Sequence, residues 1–285
     1  EIDLLRAISL LGHTASRQRA KALETLESFF IISQAAVASN DEGIQQQLLS
    51  RTDLLPKVVS ILSNDPADSC RERAASLLLK AVDSSSSQAT SAIPSTICCQ
   101  MIDAIKARIV VSSTSSSAEP SEEVRLASNK LLFKLITTRS KDINSKVEDI
   151  KSICCADIRD RFDDVKVIAC DCIAMLAEKD RDHAFLIGDP LLRTVIGMPG
   201  GSKEGIAGSL LRHRKHPVRA AALRAVGSLV LSGCTRHLDE LGPQVTRLAC
   251  DPSAQLRVMV FNSVKEWLTI PGIDDVVPCL IPALL

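Results

Sequence analysis

The sequence predicts an all-α protein, an α-solenoid (superhelix) of about six two-helix repeats. Three observations lead to this fold class: an aliphatic core, a turn motif that recurs along the chain, and an apolar helical stripe on each side of that turn. Hydrophobic residues make up 46% of the 285 residues, which is enough to build a sizeable core. Aromatics are only 2%, so Leu, Ile, Val and Ala must fill that core. These side chains suit close helix packing better than a β-sandwich.

A seven-residue turn motif occurs five times and ends in a basic residue each time. The copies at 65–71, 119–125, 160–166, 213–219 and 251–257 read DPADSCR, EPSEEVR, DRFDDVK, HRKHPVR and DPSAQLR. The first position is acidic in all copies but one, and the sixth is small or aliphatic. A degenerate further copy places Arg19 in the basic position, before KALETLESFF. One structural unit is therefore repeated along the chain.

Each turn is predicted to join two amphipathic helices, helix A before the turn and helix B after it. Helix A is predicted in DLLPKVVSILSN, STICCQMIDAIKARIVV, KVEDIKSICCADI, DPLLRTVIGM and ELGPQVTRLAC. Helix B is predicted in ERAASLLLKAV, LASNKLLFKLI, VIACDCIAML, AAALRAVGSLVL and VMVFNSVKEWL. Apolar residues recur three and four positions apart, as in Leu55, Val58, Val59 and Leu62, which indicates one buried face. The basic positions recur every roughly 40 to 55 residues, a period typical of HEAT and armadillo repeats.

Insertions interrupt this period in the long intervals. Ser-rich loops are expected near 83–91 and 111–121, and a Gly-rich insertion near 197–211 should break a helix that begins near Leu191. In a solenoid, insertions lie in loops along one edge, where partners often bind. Residues 1–285 are otherwise predicted to form a single solenoid. The opening EIDLLRAISLLG lacks signal-peptide features and starts as though within a helix, so we expect a fragment of a longer chain.

The turn residues are predicted to be structural. Asp is a good N-cap and Pro suits the first helical position, so Asp-Pro is expected to start a helix or a tight turn between helices A and B. The basic seventh residue then lies in the first turn of helix B, where the helix dipole disfavours it, and its recurrence needs another reason. We expect a ladder in which each basic residue reaches the acidic first position of a neighbouring turn, with ligand contact as the alternative. The ladder residues are Asp65, Arg71, Arg125, Asp160, Lys166, Arg219, Asp251 and Arg257.

The densest basic cluster follows the Gly-rich insertion and consists of Arg212, His213, Arg214, Lys215 and His216. One interpretation is a solvated turn that keeps an insertion soluble. The other is a docking patch for an acidic partner segment, because clustered charge raises association rate and selectivity. A metal site is disfavoured because the histidines have no companion carboxylate or cysteine nearby.

No catalytic or cofactor site is predicted. The chain contains no G-x-x-x-x-G-K-[ST] phosphate loop and no G-x-S-x-G nucleophile elbow. The ten cysteines include no C-x-x-C, and the adjacent pairs Cys98-Cys99 and Cys154-Cys155 point apart on a helix. We expect them to be small buried hydrophobes in a reducing compartment.

The charge balance argues against nucleic-acid and membrane partners. Lys plus Arg and Asp plus Glu both number 34, without the basic excess and stacking aromatics of a nucleic-acid binder. No apolar run approaches the length of about 20 residues that spans a bilayer. We therefore expect no cofactor, metal, small-molecule substrate, nucleic acid or membrane, and protein partners instead.

The D-P-x-x-x-Φ-R turns resemble those of HEAT repeats over essentially the whole chain. Four segments in order resemble the N-terminal half of the dynein axonemal assembly factor 5 family: SRQRAKALETLESFF, DLLPKVVSILSNDPADSCRERAASLLL, the stretch from DHAFLIGDPLLRTVI to KHPVRAAALRAVGSLVLSG, and LRVMVFNSVKEWL. The Ser-rich and Gly-rich insertions have no counterpart in that pattern. The resemblance implies a non-enzymatic cytoplasmic scaffold that acts with dynein subunits and chaperone or co-chaperone components to preassemble axonemal dynein arms in ciliated or flagellated cells.

Other functions stay open at this point. A tubulin-binding HEAT array would share the SRQRAKALETL start, although the tryptophan expected in its first turn is absent, and microtubule co-sedimentation would reveal it. A karyopherin-like carrier or a phosphatase-type scaffold is also compatible, and a carrier would need many more repeats. An enzyme is the least expected class, because no nucleophile, base and orienting group can be assembled from these segments.

Overall fold

The computed structural model describes residues 2–37, 53–86, 93–110, 119–179, 181–197 and 208–270, together with Pro278. Regular structure in these ranges is helical throughout. The α-helices are α1 (Ile2–Leu10), α2 (Ser16–Val37), α3 (Leu54–Asn64), α4 (Asp68–Ser86), α5 (Ser95–Ile109), α6 (Glu122–Arg139), α7 (Val147–Asp157), α8 (Asp163–Lys179), α9 (Arg181–Ile196), α10 (His216–Leu231), α11 (Leu238–Ala249) and α12 (Ala254–Trp267). Short 3₁₀ helices cover Ser140–Lys146 and Leu210–Arg212.

These helices alternate as A and B along the chain, with odd numbers before a motif turn and even numbers after it. The pairs α1–α2 through α11–α12 make up six repeats within the described residues. The predicted all-α fold of about six two-helix repeats is therefore confirmed. The first pair contains Arg19, so the degenerate copy of the motif belongs to a repeat of its own.

The chain divides into two compact units, Glu1–Ile153 and Cys154–Leu285. In the first unit, helix B packs on helix B, α2 against α4 and α4 against α6, while α3 packs on α5. In the second unit, α10 packs between α8 and α12 in the same way. Stacking of like helices buries each amphipathic stripe against the next repeat, as the repeat pattern requires. That residues 1–285 form a single solenoid stays a prediction.

The core is aliphatic, as the composition predicts. Its buried side chains are overwhelmingly Leu, Ile, Val and Ala. The single tryptophan, Trp267, is 0% exposed and packs 3.9 Å from the position that a Cβ on Gly227 would occupy. The largest side chain on α12 thus packs closely against the backbone of α10.

Of the two expected roles of Asp-Pro, the start of a helix or of a tight turn, the structure shows the tight turn. Asp65 is the C-cap residue of α3, and α4 begins three positions later at Asp68. The N-cap lies at the third motif position, where Ser121 and Ser253 accept hydrogen bonds from Val124 N and Leu256 N. The Asp side chain acts on the turn instead of the helix, because it accepts from the N–H two residues later and closes an Asx-turn.

Helix A of the fifth repeat also differs from the prediction. It begins at Arg181, well before Leu191, and Pro190 lies inside it. The Asp189-Pro190 pair therefore does not mark a helix start, although an interior proline costs roughly 3 kcal/mol. Gly197, with φ 70°, ends this helix as the glycine pattern predicts.

The insertions lie only partly in the described residues. The first Ser-rich segment is helical up to Ser86, where α4 ends, so its start is not the predicted loop. Residues 87–92, 111–118 and 198–207, which hold the rest of these insertions, lie outside the described residues.

Replacing Gly188 by alanine should destabilise the second unit by about 1–3 kcal/mol. The new Cβ would lie 2.1 Å from Cys234 Sγ and 3.3 Å from Leu229 Cδ2, and both neighbours are buried. Chemical denaturation followed by circular dichroism measures the change in the free energy of unfolding.

The matched control is Gly12→Ala, whose Cβ would meet no described atom within 4 Å. Adding Cys234→Ala to Gly188→Ala removes the clashing sulfur and should recover most of the loss. An unchanged Gly188→Ala protein would contradict this close approach of α9 to the turn after α10.

Candidate functional site

The first residue of every described motif turn closes that turn with its side chain. In each case an oxygen or a ring nitrogen accepts the backbone N–H two residues later. The pairs are His13–Ala15 (3.0 Å), Asp65–Ala67 (2.9 Å), Glu119–Ser121 (3.2 Å), Asp160–Phe162 (2.8 Å), His213–Lys215 (3.2 Å) and Asp251–Ser253 (2.9 Å). Histidine can replace the acid because its Nδ1 also accepts a hydrogen bond.

Each arginine at the seventh position reaches back over its own turn. Its Nη1 donates to the carbonyl oxygen of the first motif residue. These bonds join Arg19 to His13 (2.8 Å), Arg71 to Asp65 (2.7 Å), Arg125 to Glu119 (2.6 Å), Arg219 to His213 (2.8 Å) and Arg257 to Asp251 (2.7 Å). The carbonyls that follow helix A lack helical partners, so a guanidinium there stabilises the turn despite the dipole of helix B.

The other edge of the guanidinium contacts the acid of the next turn. Arg19 donates through Nε and Nη2 to both oxygens of Asp65, at 2.6 and 2.8 Å. Arg71 binds Glu119 in the same way, at 2.8 and 2.6 Å, and these two side chains are 4% and 0% exposed. Two-point pairing of this kind is strong and fixes geometry. It ties each repeat of the first unit to the next.

We call such an arginine–acid pair between turns a rung, and the described part of the second unit contains one, in which only Nη2 of the arginine donates a hydrogen bond. Arg219 lies 2.8 and 2.9 Å from the two oxygens of Asp251. Arg257, in the next turn, is exposed and donates only to the Asp251 and Pro252 carbonyls within the described residues. The ladder residues therefore differ widely in burial although they share one motif.

These contacts change the titration of the acids. Burial by itself would raise the pKa of Asp65, but hydrogen bonds from Arg19 and Ala67 N–H lower it below its usual value. The pKa values of Glu119 and Asp251 are lowered in the same way, against burial, by their arginine partners. The charged form of each carboxyl is thus the stabilised form.

The ladder changes between the fourth and fifth turns. The fourth turn carries Lys166 in place of arginine, and the fifth carries His213 in place of an acid. The carboxylate of Asp163, at the start of α8, contacts both of these side chains, at 3.4 Å from Lys166 Nζ and 3.3 Å from His213 Nε2. It also lies 2.7 Å from Lys215 Nζ. One carboxylate of the fourth turn therefore replaces the missing acid of the fifth.

Asp163 is a residue that sequence reasoning missed. The sequence did contain a signal, because a lysine in the basic position and a histidine in the next acidic position need a carboxylate nearby. The hydrogen bond from Lys215 lowers the pKa of Asp163 despite partial burial. Burial and the charge of Lys166 lower the pKa of His213, and Asp163 opposes this only in part, so the imidazole is neutral at pH 7.

A groove of 820 Å³ opens in the second unit at this break in the ladder. Its basic lining comes from two turns: Arg159 and Lys166 from the fourth, and Arg212, His213 and Arg214 from the fifth. Its acidic lining is Asp160 and Glu240. The arginines at 159, 212 and 214 are exposed, and no ion pair holds their side chains within the described ranges. The groove therefore carries uncompensated positive charge.

Most residues of the predicted basic patch fall into two groups, the exposed arginines that line the groove and the residues that pair with Asp163. Arg212 and Arg214 are exposed and line the groove, whereas Lys215 and His213 pair with Asp163. His216 is half-buried at the first position of α10. That this patch binds an acidic partner stays a prediction.

The cysteines are mostly buried thiols. Among the described ones, Cys70, Cys98, Cys154, Cys170, Cys172 and Cys234 are buried, while Cys250 is exposed against expectation. Burial raises the pKa of Cys98 to about 11 and that of Cys170 to about 12, so both stay protonated at neutral pH. Within the described ranges, no group of three or more His, Cys, Asp or Glu residues could hold a metal ion. Nor does any helix there have the length and apolarity needed to cross a membrane.

Comparison with known proteins links most of the chain to one family. The family model described as "Dynein axonemal assembly factor 5-like, TPR repeats" matches residues 10–271. Dynein axonemal assembly factor 5 of Mus musculus is 27% identical over 271 residues, covering 93% of this chain and 29% of that protein. The protein of that name from Xenopus laevis is 23% identical over 248 residues, covering 85% of this chain and 27% of the relative. This chain thus spans less than a third of the length of these relatives.

Solved structures of helical-repeat proteins share the fold. A designed armadillo repeat protein superposes with a TM-score of 0.59 at 14% identity, covering 93% of this chain and 100% of that chain. Importin β superposes with a TM-score of 0.56 at 11% identity, covering 99% of this chain and 38% of that chain. At such identities the likeness concerns the architecture alone.

Replacing Arg71 by alanine should lower the free energy of unfolding by about 1–3 kcal/mol, because buried Glu119 then keeps only Arg108 as a charged partner and the Asp65 carbonyl loses its hydrogen bond from Arg71. Denaturant titration of the first unit's unfolding measures the loss. Arg257→Ala, the same change at the same motif position in an exposed turn, is the control and should lose clearly less, under about 1 kcal/mol, because only hydrogen bonds from an exposed side chain to carbonyls are removed. Equal losses in the two variants would mean that the buried rung adds nothing.

The melting temperature should fall as the pH drops from about 5 to about 3. The folded pKa values of Asp65, Glu119 and Asp251 lie below their unfolded values. Their stabilisation is therefore complete above the unfolded pKa near 4 and is lost as the pH falls through the lower folded pKa. Calorimetry of the wild type and of Asp65→Asn tests this, since the variant should show a shallower decline. Parallel pH profiles would contradict the assignment to Asp65.

Proposed function

This chain belongs to the dynein axonemal assembly factor 5-like family, and we propose that it is a non-enzymatic scaffold for the preassembly of axonemal dynein arms in the cytoplasm. The observation that carries the proposal is the family match over residues 10–271, which includes most of the helical repeats. Its partners on this proposal are proteins, namely dynein subunits and chaperone or co-chaperone components.

The structure gives this role a physical basis. Buried rungs with two hydrogen bonds, such as Arg71–Glu119, hold neighbouring turns in fixed register. The turns joined in this way therefore form a rigid surface. Helical-repeat proteins bind partners along such extended surfaces. In the second unit, Arg212 and Arg214 are exposed where the repeat pattern is interrupted, and we propose that they contact the partner.

Affinity purification tests the role directly. The tagged chain is incubated with the soluble extract of ciliated cells, and bound proteins are identified by mass spectrometry. We expect axonemal dynein heavy or intermediate chains together with chaperones, because a preassembly factor holds subunits before they reach the axoneme. Recovery of tubulin alone, or of nuclear transport cargo alone, would refute the proposed role.

Two charge-reversal double variants test whether the basic patch contacts the partner. Arg212→Glu with Arg214→Glu should reduce capture of dynein chains severalfold while circular dichroism and melting stay unchanged, since both side chains are exposed. Arg236→Glu with Lys265→Glu makes the same charge change at exposed positions away from the groove lining. Equal capture by both double variants would exclude the patch and leave the scaffold role intact.

A further inference from the structure

The groove in the second unit lies where a rung of the ladder lacks its acid. In the rungs formed by Arg19, Arg71 and Arg219, the basic residue of one turn meets a carboxylate at the first position of the next. The position that would supply a carboxylate to Lys166 is occupied by His213. Lys166 keeps only a 3.4 Å contact with Asp163 of its own turn, although its side chain is just 14% exposed.

The acid that compensates this rung is already shared. Asp163 contacts His213 and Lys215 as well as Lys166, and its shortest contact, 2.7 Å, is with Lys215. One carboxylate therefore faces two permanent positive charges, and Arg159, Arg212 and Arg214 add three more around the same groove. A poorly compensated cation in a partly buried site favours the binding of an anion.

We propose that this groove binds an acidic segment of a partner protein, one of whose aspartate or glutamate carboxylates supplies the missing rung beside Lys166. The inference rests on the scaffold function proposed above and names the chemistry that the scaffold recognises. The partner's carboxylate occupies the place that Asp65, Glu119 and Asp251 take in the complete rungs. Arg159, Arg212 and Arg214 surround its flanking acids.

The lining of the groove suits a peptide better than a nucleic acid. Ile158, Ile196 and Leu210 provide an apolar floor, and Gln244, bonded to Ser209 and to the Ile196 carbonyl, adds amide groups. Aromatic side chains for base stacking are absent from the described lining.

Fluorescence anisotropy with the purified chain tests the groove without any cell extract. The probe is a fluorescein-labelled peptide of ten glutamates, compared with ten glutamines and with a ten-nucleotide oligouridine. The glutamate peptide should bind, and Arg212→Glu with Arg214→Glu should weaken it at least about tenfold, because close charge pairs contribute strongly to such coupling. Arg236→Glu, an exposed arginine outside the groove lining, should change affinity less than about twofold.

The decisive variant supplies the missing carboxylate from the chain itself. His213→Asp places a carboxylate in the position of the missing acid, so it should compete with the peptide and weaken binding about tenfold. It should also preserve or raise the melting temperature, because the new side chain can pair with Lys166. His213→Asn, which has the same shape without the charge, should bind the peptide at least about fivefold more tightly than His213→Asp. If His213→Asp does not fold, Lys166→Gln replaces it and should weaken binding by a similar factor.

Several outcomes would overturn the inference. These are no binding of the glutamate peptide, equal affinity of the Asp and Asn variants at position 213, an equal effect of Arg236→Glu, or tighter binding of oligouridine. Loss of dynein capture with intact peptide binding would refute only the proposed function. Intact dynein capture without peptide binding would refute only this groove.

Discussion

A single guanidinium contact organises this chain. The arginine at the seventh motif position donates to the carbonyl that ends its own turn and, where the rung is complete, to both oxygens of the next turn's acid. One side chain thereby satisfies groups left without partners after helix A and locks neighbouring repeats in register. Arginine is required because lysine, a compact point charge, cannot serve both edges at once. The aliphatic stripes supply the burial energy, and the rungs determine which turn faces which.

The same constraint explains where a binding groove can form. In a complete rung the carboxylate is buried and fully engaged, as Glu119 is by Arg71 and Arg108, so the rung offers no open site to a ligand. Between the fourth and fifth turns, Lys166 and His213 break the rule, and Asp163 compensates only part of the positive charge. Exposed arginines from both turns then surround the gap. Where a rung lacks its acid, the positive charge left without a partner is thus available to bind an anionic group.

Much of the fold could be predicted from the sequence, whereas the chemistry of the turn could not. The spacing of the motif and the three-and-four pattern predicted the helix pairs, including the repeat of Arg19, because both depend on local periodicity. The sequence left open whether Asp65 starts a helix or a tight turn, since an Asp side chain can cap a helix or close its own turn, and the structure shows the turn. The start of α9 was misplaced because Asp189-Pro190 resembles a helix start. Asp163 was missed because its partner His213 lies in another repeat, so the sequence signals the need for a carboxylate without saying which one supplies it.

The sequence by itself determined the helical class, the pairing of helices around each turn and the identity of the motif residues, since these follow from periodicity within a window of one repeat. The tertiary structure decided what the motif residues do. Packing one turn against the next buried Arg71 and left Arg257 exposed, although both follow the same six-residue spacing from an Asp-Pro pair. It also joined Arg159 and Lys166 to Arg212 and Arg214 across a single groove. Burial and electrostatic pairing depend on distances between repeats, and those distances exist only once the helices are stacked.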